Sequence, residues 1–189
     1  MVSDRVVVSD RFVPVTAATA DDLDRFSAAY GTFRWCSCLR WRLRSAPFRD
    51  STKEQRAATL AERVGQGEPV GVLAYAGADP VGWCSIAPRE SYQAVLASRV
   101  IPQLPGERVW SVVCFFVAPR ARRHGLRAGL LDAACGYAAG AGAAVIEAYP
   151  SPNGKSYRYM GTRELYQQAG FEEIPVPDGL RPVLRKNLT

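Results

Sequence analysis

Apolar positions along the chain follow two periods, two and 3.6, and the switches between them lay out the elements. Residues 12–16 read as a first strand. Thr19 and Asp21 then offer N-caps for an amphipathic helix whose apolar positions include Leu23, Phe26 and Ala29 and which ends near Gly31. A second helix is predicted over 52–66, where Ala57, Leu60, Ala61 and Val64 recur at helical spacing and Gly67 supplies the stop. Between the two, the run 33–44 alternates apolar residues with polar residues or cysteine, the period of a half-buried strand with one aromatic and one cationic face. The runs 70–76 and 81–87 flank Gly77-Ala78-Asp79-Pro80 and predict an antiparallel hairpin. Residues 109–118 are continuously apolar and rich in β-branched and aromatic side chains, as a strand buried on both faces requires, and Pro119 ends it. Leu126, Leu130, Ala133, Ala134, Tyr137 and Ala141 return to helical spacing, Gly142 punctuates, and 143–148 forms another buried strand. That strand-helix-strand unit predicts parallel strands joined by a right-handed crossover. A last helix over 163–169, closed by Gly170, precedes short strands at 171–174 and 183–186.

With 189 residues, 48% hydrophobic and 22% charged, the chain is long enough to bury a two-layer core without disulfides or a metal, and one domain over 1–189 is expected. Residues 1–8 lack the apolar core of a secretory signal, and no stretch reaches the length of a membrane span. A cytoplasmic protein without membrane association is expected, its five cysteines reduced. The net charge of +6 favours anionic partners.

Chemistry concentrates after the central strand. Arg122, Arg123, His124, Gly125, Leu126 and Arg127 form a basic turn that feeds directly into a helix. The first N–H groups of a helix lack internal partners and the helix dipole adds positive potential, so such a turn suits a pyrophosphate, as it also suits plain solvation of a basic loop. Glu147 is the other exception to pattern, a carboxylate in an otherwise apolar strand, where burial demands a function or a partner. It is a candidate general base, or half of an ion pair with one of the arginines. Cys36 and Cys38 with the single His124 invite a metal reading, but a structural zinc site wants about four ligands and no second cysteine pair stands at suitable spacing, so no metal is expected.

Arg122-x-x-Gly125 after a buried apolar strand resembles the acyl-CoA signature of the GNAT superfamily, R/Q-x-x-G-x-G/A, with Arg127 in place of the last small residue. Leu165-Tyr166-Gln167-Gln168-Ala169-Gly170-Phe171 is similar to the superfamily's (F/L)-Y-x-x-x-G-F segment, and the order of elements agrees from about 70 to 174. Trp35-Cys36-Ser37-Cys38-Leu39-Arg40-Trp41, Val81-Gly82-Trp83 and Glu147-Ala148-Tyr149-Pro150 resemble a bacterial subgroup of N-acetyltransferases in that superfamily.

The resemblance implies an α+β fold in α/β/α layers. Its central sheet would be mixed and mostly antiparallel, splayed between parallel strands at about 109–118 and 143–148, with helices on both faces. It implies acetyl-CoA as co-substrate, held by the turn 122–127 and by backbone groups of Phe115, Phe116 and Val117 at the splay. The three phosphates of CoA would account for part of the basicity. Tyr166 occupies the position where many relatives place a phenol as general acid for the departing thiolate. Some relatives carry a glutamate at the place of Ser111, which leaves Glu147 as candidate base. The segment between the first two helices lines the acceptor site in such proteins, so Trp35 and Trp41, with Tyr92, Trp110 and Ser111, are the expected acceptor-binding residues.

The leading expectation is direct transfer of an acetyl group to a primary amine of a small molecule or peptide by a monomer or homodimer. The charge also suggests a transferase directed at aminoacyl-tRNA, and Ser111 with Arg127 suggests a CoA-binding module without catalysis. A cysteine acyl-enzyme lacks a histidine near either thiol in sequence.

Overall fold

The computed structural model describes residues 11–122, 125–151 and 158–188. Strand β1 is Phe12–Pro14, β2 Val72–Ala76, β3 Asp79–Pro88, β4 Val109–Val117, β5 Val145–Ala148, β6 Glu172–Ile174 and β7 Val183–Asn187. They form one sheet in the order β1-β2-β3-β4-β5-β7-β6. Only β4 and β5 pair in parallel; every other neighbouring pair is antiparallel. The helices are α1 (Ala20–Ala29), α2 (Gly31–Cys36), α3 (Leu39–Arg42), α4 (Ser45–Asp50), α5 (Lys53–Gly65), α6 (Gln93–Leu96), α7 (Leu126–Gly140) and α8 (Arg163–Gln168).

Period-two alternation sends the two sides of each strand into different cores. Val72 and Ala74 of β2 join Leu126, Leu130 and Ala134 of α7 on one face, whereas Leu73 and Tyr75 join Leu23 and Phe26 of α1 and Leu60 of α5 on the other. The result is the α/β/α layering expected of this α+β chain, with the mixed sheet between. Local chemistry fixes the ends of α5: Thr52 accepts the Gln55 N–H at 3.2 Å while the Gln55 side chain accepts the Thr52 N–H at 2.8 Å.

The predicted strand at 33–44 is instead two short helices, α2 and α3. Ser37 and Cys38 between them take left-handed backbone conformations, φ 44° and 50°, which break the helix and reset its phase. The buried positions are consequently Phe33, Ser37, Cys38, Leu39 and Arg42, a helical spacing interrupted once, and Trp35 stays 59% exposed. The break imitates period two in sequence. The short helices α4 and α6 were not predicted.

One irregularity in β4 shapes everything that follows. Against β3 its register runs from Cys114 opposite Ser85 to Val112 opposite Ile86, so Val113 is an extra residue, a β-bulge. The bulge inverts the alternation. Trp110 and Val112 face the α7 core before it, and Phe115 and Val117 face that core after it. Parallel pairing with β5 ends at the same place, Val112 opposite Ala148. Residues 113–117 therefore continue without β5 beside them, which is the expected splay.

Candidate active site

The free end of β4 separates two cavities. The first, of about 480 Å³, is bounded by Val117, Arg122, Gly125, Leu126 and Arg127, and on its far side by Leu165 and Gln168 of α8. Gly125 stands at the N-cap of α7 with φ 71°, a left-handed conformation that glycine adopts without strain. A Cβ built there meets no protein atom within 4 Å, so the space above it is open. The Arg122 side chain donates through Nε to the Val117 carbonyl at 3.1 Å, which ties the turn to the end of the strand. Arg122 and Arg127 are both exposed on this cavity, so Arg127 faces it despite departing from the small residue of the motif. The cradle thus combines two guanidiniums, a helix N-terminus and a glycine, the elements that hold a phosphate anion. Arg123 and His124, assigned to the same cradle from sequence, lie outside the described residues.

The second cavity, of about 270 Å³, opens on the other side of the sheet between β4 and the α2–α3 pair. Phe33, Trp35, Trp41, Phe116 and Tyr159 supply its rings, and Cys36, Cys38, Cys114 and Met160 supply four sulfur atoms. Burial, with Cys38 as neighbour, raises the Cys36 thiol to about 11, and burial raises Cys38 well above the ordinary thiol range, so both remain neutral at physiological pH. The Trp83 indole donates to the Cys38 sulfur at 2.9 Å, which anchors the left-handed break to the sheet.

Tyr166 is fully buried in α8, its ring packed on Phe115 and Phe171 at centroid distances of 6.3 and 5.2 Å. Its hydroxyl donates to the Met160 carbonyl at 2.7 Å. Met160 lines the second cavity and Leu165, beside Tyr166 in α8, the first, while Tyr166 itself lies beneath both linings. Burial, reinforced by nearby thiols, holds the phenol well above its usual range and keeps it protonated. Phe115 thus faces the α7 side with Tyr166, while Phe116 turns to the second cavity and Val117 to the first.

Glu147 has a different surrounding from that of a base. Its Oε1 accepts from Arg185 Nε at 2.9 Å, from Arg185 Nη2, and from Arg89 Nη1 at 3.3 Å, and Oε2 accepts from the Tyr149 hydroxyl at 2.6 Å. With 1% of the side chain exposed and both oxygens occupied by donors, the carboxylate has no lone pair to offer an amine. The structure places Glu147 in the ion pair that was the alternative to the general-base expectation. Of the expected acceptor residues, Tyr92, Trp110 and Ser111 line neither cavity. Tyr92 is fully buried, bonded to Ser85 Oγ at 3.1 Å and to Arg42; Trp110 packs edge-on against Tyr137 of α7; Ser111 meets the Tyr149 hydroxyl at 2.8 Å. Trp35 and Trp41 do line the second cavity.

Sequence reasoning missed Cys114, Tyr159 and Met160 as lining residues, whereas Phe33 falls in the run 33–44 that it expected to line the acceptor site. Cys114 carried no signal, since only the bulge at Val113 turns it to that face, and Met160 precedes α8 in a turn without recognisable pattern. Among the described residues no group of three or more histidine, cysteine or acidic side chains is placed to hold a metal, and no helix is long and apolar enough to cross a membrane.

A family model described as "Acetyltransferase (GNAT) family" matches residues 35–171. No curated protein matches the chain. Among solved structures, a ribosomal-protein-alanine N-acetyltransferase from Brucella melitensis superposes with a TM-score of 0.57 at 21% identity, covering 94% of this chain and 99% of that one. The acetyltransferase yncA from Salmonella typhimurium, determined with acetyl-CoA, gives 0.55 at 18% identity over 95% and 94%. A phosphinothricin acetyltransferase from Sinorhizobium meliloti, also with acetyl-CoA, gives 0.57 at 15% over 94% and 88%.

Proposed function

The chain belongs to the acetyltransferase (GNAT) family, and from that premise we propose that it transfers an acetyl group from acetyl-CoA directly to a primary amine of a small molecule or peptide. The observation that carries this reading is the end of β4, paired with β3 on one edge but without β5 on the other, with an anion cradle against one side and an apolar cavity against the other. The cradle fits CoA chemically. Arg122, Arg127 and the N–H groups opening α7 suit the phosphates, and the open space over Gly125 leaves room for them. Val117, Leu126 and Leu165 offer an apolar wall to the chain that follows.

When bound, acetyl-CoA supplies an acyl thioester; as the N–C bond forms and the C–S bond breaks, one proton leaves nitrogen and one reaches sulfur. This chain contributes position and a proton. Backbone groups of residues 113–117, free of β5, orient the acyl carbonyl, and Tyr166, held protonated, donates to the departing thiolate. Calorimetry with CoA and acetyl-CoA tests the cradle, and thiol release across an amine panel tests the transfer. Binding with amine-dependent thiol release is expected; absence of any heat with either nucleotide overturns the reading.

A further inference from the structure

The α2–α3 cavity carries more information than its existence, because its lining states what it rejects. Its only charge among the described lining residues is a cation, Arg40. Among the described lining residues there is no aspartate, glutamate or histidine. An alkylammonium entering here loses its hydration, meets a like charge and finds no carboxylate to compensate. A ring of tryptophans sometimes welcomes a cation on its faces. Here those faces are already used: the Arg56 guanidinium lies over Trp35 at 5.4 Å and Arg40 over Trp41 at 5.5 Å. Phe33 and Phe116 are turned edge-on into each other, into Phe26 and, for Phe33, into Trp83. What remains is an uncharged wall of ring edges and soft sulfur, which contacts aromatic surfaces favourably. A dry cavity of about 150 Å³ holds benzene, so about 270 Å³ accommodates one substituted ring.

Resting on the acetyl-transfer reading above, we propose that the acceptor is an aromatic primary amine, uncharged at neutral pH, whose ring occupies the α2–α3 cavity and whose nitrogen meets the acyl group at the free end of β4. The nucleophile then arrives with its lone pair already available, which agrees with Glu147 being locked in its ion pair and with the absence of a carboxylate or histidine among the described lining residues. The balance is complete without a further reactant: arylamine and acetyl-CoA give the N-aryl acetamide and CoA, the nitrogen's proton replacing the acyl group on sulfur by way of solvent and Tyr166.

The test compares aniline with cyclohexylamine, the same ring saturated and its nitrogen protonated, on the full chain with saturating acetyl-CoA. Thiol release is read at pH 7.5 and the acetamide product is confirmed by mass. Aniline is expected to show at least tenfold greater kcat/KM, with a rate flat over about pH 6.5–9, while any cyclohexylamine rate climbs with pH as the free amine appears. In Thr32→Glu, an exposed position on the cavity rim, the aniline preference is expected to narrow severalfold because a carboxylate now greets the ammonium. Cyclohexylamine equal or preferred at pH 7.5, or an unchanged preference in Thr32→Glu, overturns the proposal. CoA binding measured by calorimetry separates the two levels: binding without aniline turnover, whatever other amine reacts, sinks the acceptor assignment alone, whereas no binding removes the transferase reading beneath it.

Discussion

Tyr166 and Glu147 are both polar, both buried and both singled out by sequence, yet their partners differ in kind. The phenol spends its hydroxyl on one carbonyl, that of Met160 in the wall of the second cavity; the carboxylate is saturated by two arginines and a tyrosine. Tyr166→Phe is expected to lower turnover by roughly a hundredfold, the usual loss with a general acid, and to leave CoA affinity within about threefold. Steady-state kinetics beside calorimetry measures both, and a deficit under about threefold reduces the hydroxyl to a tie between α8 and Met160. Glu147→Gln is expected to act on stability, since Arg89 and Arg185 lose their counter-charge: roughly 3 kcal/mol by denaturant unfolding, with no new dependence of kcat on pH. A normal unfolding midpoint with slow turnover would restore the base assignment. Sequence exposed Glu147 as anomalous because a carboxylate in an apolar strand is costly anywhere. It could not show the answer, because Arg185 lies 38 residues away along the chain and is brought opposite Glu147 only by the register of β7 on β5.

At the scale of elements, the turn into α7 was the most legible part of the molecule. Its arginines, its glycine and the periodicity on either side are all local properties, and local properties survive in sequence. Gly125 makes the point testable. Alanine there must adopt φ near 71°, at a cost of about 1–2 kcal/mol, but meets no protein atom. Thermal unfolding of Gly125→Ala should therefore show that modest loss, and Gly125→Asp should in addition abolish stabilisation by CoA by placing a carboxylate against the phosphates. Full CoA stabilisation of Gly125→Asp would show that the phosphates lie elsewhere. The α2–α3 pair was illegible for the opposite reason. Its left-handed Ser37 and Cys38 are not glycine or asparagine, the residues that announce such a break, and they hold because Cys38 is bonded to Trp83 across the sheet. The bulge at Val113 likewise has no glycine to mark it.

Across the whole molecule, the crossover from β4 through α7 to β5 follows from element order, but the insertion of β7 between β5 and β6 does not, because nothing near in sequence fixes which strand fills an edge. Burial has a global consequence of the same non-local kind. The thiols of Cys36 and Cys135 are each raised to about 11 and the Tyr75 phenol to about 12, and Cys38, Cys84, Tyr149 and Tyr166 are raised well above their ordinary ranges, in every case chiefly by removal from water. In the unfolded chain the thiols release protons near 9.0 and the phenols near 10.0. Above that point the unfolded state binds fewer protons than the folded one, so stability falls as pH rises. Below it both states are protonated and these groups contribute no slope. The melting temperature under reducing conditions is thus expected to be insensitive to these groups up to pH 8 and to drop steadily between about pH 9 and 11. Cys36→Ser, which removes one titrating group at the rim of the acceptor-side cavity, should make that drop shallower. If the wild-type midpoint instead holds constant to pH 11, the thiols titrate freely and the cavity lined by Cys36 and Cys38 is wet, which would also remove the dry lining on which selection of an aromatic amine depends.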